Sequence, residues 1–335
     1  MAAVGIVVNP WAGKDVRRLH APTGHTPDTA KVGIVKRIAL AALTAGADTV
    51  YVVRDVGRIA ERAIAGVDDA VLVDGPGTGS ALDTRRGAAQ LRDLGCCPVV
   101  VLGGDGTCRD VTMGFPDATL IAVSTGTNNV FPAHIDGTSA GTAAGLIAWG
   151  AIDGRAVGRR AKVLHVRLAV AGEAPVEEIA LVDVALVSGS RTGARAVVRA
   201  DTIRAVVAAI ASPASTGLSS IAGRLHPLGR DDDGAVVVRV GDGSRAVRAP
   251  IVPGSFDVLG VESLEVIADG GSTQLRGPGL LAYDGERDRV LPADAEVTIT
   301  VRRDGPLVVD VERTLHCAAI RQLFDIVTAE KRHGH

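Results

Sequence analysis

The sequence has few aromatic residues, with two Trp, two Tyr and four Phe among 335. That leaves little material for base-stacking platforms on single-stranded nucleic acid, or for an aromatic belt at a membrane surface. An excess of positive charge is missing too: 36 Lys and Arg stand against 38 Asp and Glu, for a formal charge of −2. Nucleic acid is therefore not the expected partner. No stretch approaches the roughly 20 apolar residues that a membrane span needs. The opening Met-Ala-Ala-Val-Gly-Ile-Val-Val has neither a basic start nor a long enough apolar run for a signal peptide. Only four cysteines occur, Cys96, Cys97, Cys108 and Cys317, without a CxxC pair or regular spacing. They read as buried small apolar residues rather than disulfides or metal ligands. Together these absences predict a cytoplasmic protein that contacts neither membrane nor nucleic acid.

What is present is ordinary globular material. The chain is 47% hydrophobic and 22% charged, which excludes a disordered chain. At roughly 150 residues per domain, the length predicts about two domains. With aromatics so scarce, the core must be built from Val, Ala, Leu and Ile.

Two textures meet near residue 150. Before it, Val4–Val8, Thr49–Val53, Ala70–Val73, Pro98–Leu102 and Thr119–Val123 form continuous apolar runs, as in strands buried on both faces of a parallel sheet. Helical patterns lie between them. One begins at Asp28-Thr29 and stops at Gly46, and another spans Thr84–Leu94 and stops at Gly95. This alternation predicts a doubly wound α/β domain over residues 1–150. After it, Val163–Val170, Ile179–Val187, Ala235–Val240, Ser263–Ile267, Glu296–Val301 and Leu307–Val309 read as strands, with turn signals at Glu173-Ala174-Pro175, Asp242-Gly243 and Asp304-Gly305. They predict a mostly antiparallel β domain over 151–310. A helix is expected around Asp201–Ala211, and a last one over Val311–Ala329. Asp231-Asp232-Asp233 reads as a solvated loop.

Four predicted parallel strands end in loops rich in small polar residues. These are Asn9–Gly13, Asp74–Ser80, Gly103-Gly104-Asp105-Gly106-Thr107 and Ser124–Asn129. Ligands of a parallel sheet bind at the carboxyl ends of its strands. Glycines there let backbone N–H groups approach an anion, and the next helix presents its positive end. Thr107 and Thr127 add hydroxyls, and Asn9, Asn128 and Asn129 add amides. Asp74, Asp105 and Asp110 would repel a bare phosphate, so they suit magnesium or a proton acceptor. Lys14 and Arg109 are the nearby cations, Lys14 reading equally as a surface lysine. No P-loop or HExxH motif occurs, no GxGxxG follows the first strand, and His134 and His165 read as structural.

At these loops the sequence resembles the ATP-NAD kinase-like superfamily, which includes the diacylglycerol kinases. Gly103–Thr107 after a buried strand resembles its signature, and Asn9-Pro10-Trp11-Ala12-Gly13 its amino-terminal element. The stretches Gly103–Val111, Gly126–Pro132, Thr216–Gly223 and Asp284-Gly285-Glu286-Arg287 are similar to the AcoX-type branch. The resemblance implies an NAD kinase-like fold, a final segment over 311–335 returning to the first domain, and phosphoryl transfer from ATP with Mg²⁺, with NAD(H) a candidate ligand. Asp105 would be catalytic, with Asp110 beside it at magnesium. Asn9, Gly13, Gly103, Gly104, Gly106, Thr107, Gly126, Thr127 and Asn128 would hold nucleotide, with Asp284 and Glu286 reaching in from the second domain. Asp183, Thr216, Ser219 and Ser220 would meet the phosphoryl acceptor. The partners implied are a nucleotide and a small molecule, and a homo-oligomer is compatible with the reading. Two alternatives remain: a non-catalytic NAD(H) or ATP sensor, and a lipid kinase. Val182-Asp183 replaces the Asn-Glu or Asn-Asp pair of NAD kinases, so NAD is expected to be a poor acceptor.

Overall fold

The computed structural model describes residues 1–14, 26–75, 77–126, 128–189 and 199–325. Strands β1 (Ala3–Val8), β2 (Thr49–Val53), β3 (Ala70–Val73), β4 (Val99–Gly103) and β5 (Thr119–Ser124) pair in parallel in the order β3-β2-β1-β4-β5. Their apolar runs are continuous because both faces are covered. In β1, Val4, Ile6 and Val8 pack to one side, and Ala3 and Val7 to the other. Helices α1 (Asp28–Thr44), α2 (Ile59–Ile64) and α5 (Gly137–Ala148) cover the first face. Helices α3 (Ala81–Asp93) and α4 (Asp105–Gly114) cover the second. The strand order reverses between β1 and β4, which opens a crevice at their carboxyl ends.

After a short helix α6 (Gly154–Val157), β6 (Gly158–Arg160) still belongs to this sheet. The chain leaves the sheet only at Ala161, and it returns earlier than residue 311. A late strand, Leu307–Val309, pairs in parallel with β5 and antiparallel with β6.

Between these crossings lie two antiparallel sheets. Strands β7 (Val163–Ala169), β8 (Val176–Ala180), β13 (Ser272–Arg276) and β16 (Glu296–Arg302) form one, in the order β13-β16-β7-β8. The other has the order β12-β11-β10-β9-β14-β15, from β9 (Asp183–Val187), β10 (Ile203–Ala208), β11 (Ala235–Val252), β12 (Ser255–Ile267), β14 (Gly279–Tyr283) and β15 (Glu286–Leu291). Their facing sides share a core of Val, Leu and Ile with Tyr283. Helix α7 (Leu218–Leu225) covers the outer face of the larger sheet. Counted in chain order, Leu307–Val309 is β17, and helix α8 (Val311–Ile320) follows it onto the first unit, beside α5 and α6. The helix expected to residue 329 ends instead at Ile320, turns follow at 321–324 with Gln322 at φ +57°, and 326–329 lie outside the described residues.

Three sequence expectations are corrected. The segment Asp201–Ala211 is no helix: a 3₁₀ turn at Ala200–Thr202 leads into β10, a strand between β9 and β11. Its short apolar run carries no period long enough to distinguish helix from strand, and pairing on both sides decides for strand. The run Ile179–Val187 is two strands in different sheets, broken at Leu181-Val182. Asp242-Gly243 is no hairpin turn but lies at an irregularity within β11, where the register slips between Val240 and Arg245. The hairpin turns at Pro253-Gly254 instead, Gly254 taking φ +77°. Cys97 also departs from expectation, being exposed, while Cys96 and Cys108 are buried; all four thiols are free. No helix among the described residues is long and apolar enough to cross a membrane.

Helices α1 and α5 approach unusually closely. A Cβ on Gly141 would lie 2.3 Å from the Ile38 carbonyl oxygen, and one on Gly145 would lie 2.3 Å from that of Ala42. Neither neighbour is a flexible side chain, so a larger residue must push the helices apart. Gly141→Val is expected to lower stability by about 3 kcal/mol, the upper end of overpacking costs. Gly33→Ala on α1, where the nearest atom is a side-chain end at 3.5 Å, is expected to raise stability by about 0.5 kcal/mol through helix propensity. Urea unfolding midpoints of the two variants check both signs.

Candidate active site

Every sequence-predicted loop on the carboxyl edge converges on one cleft of about 640 Å³ between the two units. Its first wall is the start of α4. Gly103 ends β4, and a Cβ there would sit 2.5 Å from the Thr107 side chain. A Cβ on Gly104 would sit 2.9 Å from Asn129 Oδ1. These two glycines are thus demanded by packing. At Gly106, in contrast, a Cβ would meet nothing within 4 Å, so the first turn of α4 is open where an anion would approach its N–H groups.

The neighbouring loops are tied to this turn by side chains. Asn9 donates from Nδ2 to Thr107 Oγ1 at 2.8 Å, and its Oδ1 accepts the Trp11 N–H at 2.8 Å. Gly13, at φ +73°, brings the β1 loop against the Thr125 carbonyl, where a Cβ would stand 2.5 Å away. Beneath this loop Lys31 is fully buried, donating to the Pro10 and Asn9 carbonyls at 2.8 and 3.3 Å. Burial lowers its pKa to about 8. Lys14 pairs with Asp28 at 2.8 Å. Asn129 is an internal brace, donating to Ser124 Oγ and the Gly103 carbonyl. Gly126 and Asn128 line the cleft, and Thr127 lies outside the described residues.

The second wall brings the carboxylates. Asp105, the first residue of α4, accepts the backbone N–H groups of Val130 and Phe131 at 3.0 and 2.8 Å. Its carboxyl is deep in the molecule although the residue still lines the cleft. Burial, reinforced by the Asp284 charge, pushes its pKa up to about 7. Asp284 follows β14 in a left-handed conformation, φ +49°, and accepts the N–H groups of Leu181, Val182 and Asp183 at 3.0, 2.8 and 3.3 Å. This is why the run Ile179–Val187 breaks. Burial raises the pKa of Asp284 as well, against the pull of Arg109 and of those three N–H groups. Arg109, on α4 itself, is buried, reaching the Tyr283 carbonyl at 3.4 Å with its guanidinium 5.6 Å from the Tyr283 ring.

One residue missed by sequence reading completes this wall. Arg230, from the loop after α7, donates to the Val130 and Phe131 carbonyls at 2.8 and 2.5 Å. The same two peptides hold Asp105 through their N–H groups. An exposed loop arginine carries no sequence signal for such a role.

The remaining sequence candidates divide. Asp183, Thr216 and Glu286 line the cleft. Ser219 lines it too, but its Oγ donates to the Ile210 carbonyl at 2.6 Å and accepts the Ser212 N–H. Ser220 is buried away from the cleft, donating to the Gly217 carbonyl at 2.6 Å. Both hydroxyls brace the start of α7. Asp110 faces the cleft but is engaged by Arg85 Nε at 2.9 Å, and burial raises its pKa. Val182 packs in the apolar core shared by both units.

Comparison with known proteins agrees with this geometry. Residues 4–147 match the family model of the ATP-NAD kinase N-terminal domain, and residues 162–304 that of the acetoin catabolism protein X C-terminal domain. The crystal structure of yeast NADH kinase complexed with NADH superposes with a TM-score of 0.52 at 13% identity, covering 98% of this chain and 90% of that one. The NAD kinase-like fold is therefore shared. Acetoin catabolism protein X of Cupriavidus necator is 32% identical, over 96% of this chain and 93% of its own length. At that identity over nearly the whole length of both proteins, the chain belongs to the acetoin catabolism protein X family.

Proposed function

We propose that this chain is an ATP-dependent phosphotransferase whose acceptor is an alcohol of a small molecule or nucleotide. The observation that carries the reading is the meeting of Asp105, at the open first turn of α4, with Asp183, Thr216 and Asp284 of the second unit around one cleft. The phosphates of ATP lie against the N–H groups of that turn, at Gly106 and Thr107. Asn9, Gly13, Gly126 and Asn128 surround them. The acceptor hydroxyl enters from the side of Asp183 and Thr216. Its oxygen bonds to the γ-phosphorus as the bond to the ADP oxygen breaks, and its proton passes to Asp105. A carboxyl titrating at about 7 suits that task near neutral pH. A nucleotide sensor has no use for a carboxyl so poised, which disfavours the sensor reading.

Magnesium fits this site as a companion of the phosphates rather than as a resident ion. Among the described residues, no group of three or more His, Cys, Asp or Glu could hold a metal. Asp110, expected as a ligand, is held by Arg85. Magnesium usually keeps waters and phosphate oxygens and takes only one or two carboxylates. With Asp105 assigned to the proton, the ion would be held mainly by phosphate oxygens and water and would offset phosphate charge.

Asp105→Asn keeps one acceptor for the Val130 and Phe131 N–H groups while removing the charge. Phosphoryl transfer is expected to fall by about a hundredfold or more, measured with a panel of hydroxylated acceptors. Stability should move the other way. The folded pKa of Asp105 lies above its unfolded value, so the folded state binds the extra proton and loses stability as pH rises from about 4 through 7. Asp105→Asn should therefore raise the melting temperature near pH 8 and leave it little changed near pH 4.

Arg230→Ala should leave the fold intact, because the side chain is exposed, yet lower kcat by about tenfold through a displaced Asp105 loop. Loss of its positive charge should also shift the acid limb of the pH profile upward. Lysine at this position cannot reproduce the two-carbonyl fork and should rescue only part of the rate.

NAD is expected to be a poor acceptor. Val182 is apolar and buried, and the Ser219 and Ser220 hydroxyls are spent on backbone carbonyls. Each missing polar contact costs about 1–3 kcal/mol. Efficient conversion of NAD to NADP in a steady-state assay would contradict this.

A further inference from the structure

A second cavity, of about 420 Å³, lies in the antiparallel unit and shares no lining residue with the cleft. It opens between the larger sheet and the edge strand β13 of the smaller one. Its floor is apolar, from Leu186, Ala205 and Val240 on β9, β10 and β11. Its walls are not. Arg204, Arg239 and Arg276 all line it, against a single carboxylate, Glu262.

Arg239 stands where the strand pattern requires an apolar residue. Along β11, Ala235 and Val237 face the core between the two sheets, and the register runs on to Arg239 without a slip. Across the sheet, Arg239 pairs with Ala205 and Ala205 with Leu186, both members of that core. Alternation therefore puts a half-buried guanidinium on the inner face, at the mouth of the sandwich.

Arg204 reaches the same place by a different device. Ile203 opposes Val187 while Ala205 opposes Leu186, so Arg204 is the extra residue of a β-bulge. Glu262 is the extra residue of another, since Arg239 opposes Ser263 and Val240 opposes Val261. A bulge re-aims the side chain of its extra residue. Here both bulged residues line the one cavity.

The two inner guanidiniums are held but not neutralised. Arg204 Nη1 donates to the Pro278 carbonyl at 2.8 Å, and Arg239 Nη2 to that of Gln274 at 2.9 Å. Among the described residues, only Arg276 of the three has a carboxylate partner, Glu296 at 3.2 Å. Glu262 turns towards Gly241, where a Cβ would stand 3.2 Å from its Oε2. Holding a carbonyl uses one of the five N–H donors of a guanidinium, and the donors that remain match a carboxylate or phosphate group.

We propose that this cavity binds a small organic anion carrying two or more carboxylate or phosphate groups. Arg204 and Arg239 grip its charged groups, and its carbon frame lies on the apolar floor. The cavity is of ordinary size for a small-molecule site. This site does not depend on the phosphotransferase reading.

Calorimetry on the full-length protein without magnesium tests it, with citrate and, separately, with inorganic pyrophosphate. At least one is expected to bind, and the tighter arm identifies the recognised group as carboxylate or phosphate. In the Arg204→Gln/Arg239→Gln protein the Kd of that probe should rise by about a hundredfold, roughly tenfold for each lost charged hydrogen bond. Arg276→Gln, at an exposed position, should weaken it by about two- to fivefold. Glu262→Gln should tighten it by a similar factor, which damage to the fold cannot do. Failure of both probes to bind the parent protein, or an unchanged Kd for both in the double variant, would overturn the site and leave the phosphotransferase reading untouched.

Discussion

The arrangement on which this molecule depends is the burial of two carboxylates, Asp105 and Asp284, at the seam between its two units. Each would be intolerable alone, because removing a carboxylate from water costs several kcal/mol. Each is instead wrapped in backbone N–H groups, two at Asp105 and three at Asp284. These N–H groups favour the charged forms, while burial and mutual repulsion oppose them. The balance leaves Asp105 able to take up or release a proton near neutral pH, which neither domain could arrange by itself.

That seam is a packed joint rather than a loose contact. Leu181, Val182, Val163 and Ile210 of the second unit share a core with Cys108, Val111 and Phe131 of the first. Polar ties run beside it. Arg303 donates to the carbonyls of Arg160, Arg230, Asp231 and Asp232. It thereby binds the crossing between domains to the loop that carries Arg230. Arg230 in turn holds the peptides that hold Asp105. A displacement of the second unit is thus transmitted to the carboxyl through two arginines and two peptide groups. The Asp231–Asp233 run, a solvated loop by sequence, is indeed exposed, yet its backbone is a working part of this joint.

Much of the fold was legible because its signals are local. Continuous apolar runs in β1, β4 and β5 follow from burial on both faces, and the glycine loops follow directly after them. The signature at Gly103–Thr107 could be located from sequence because its chemistry is contiguous. What could not be read depends on distant partners. The segment of β10 reads as a helix in sequence because only its neighbours β9 and β11 decide its state. The break at Leu181-Val182 is imposed by Asp284, about a hundred residues away in sequence. Ser219 and Ser220 carry hydroxyls that suit a ligand, and only the Ile210 and Gly217 carbonyls show that they are already used. Arg230 and Arg303 have no pattern at all, since their roles exist only after the second unit docks.

The charge of the cleft imposes a last constraint. Its lining carries Asp55, Asp83, Asp105, Asp110, Asp183, Asp284 and Glu286 against Lys14, Arg54, Arg85 and Arg109. Three of those cations are already paired, Lys14 with Asp28, Arg54 with Asp74 and Arg85 with Asp110. The fourth, Arg109, is buried against Tyr283. Among the described residues, the cleft therefore shows no cluster of uncommitted side-chain cations in the manner of an arginine-rich phosphate site. On the proposed reading the backbone N–H groups of α4 attract a polyphosphate, together with divalent cations that the carboxylates favour. The same acidic excess would hold unaccompanied phosphate anions weakly. Discrimination then falls to the parts of the ligand that carry no charge.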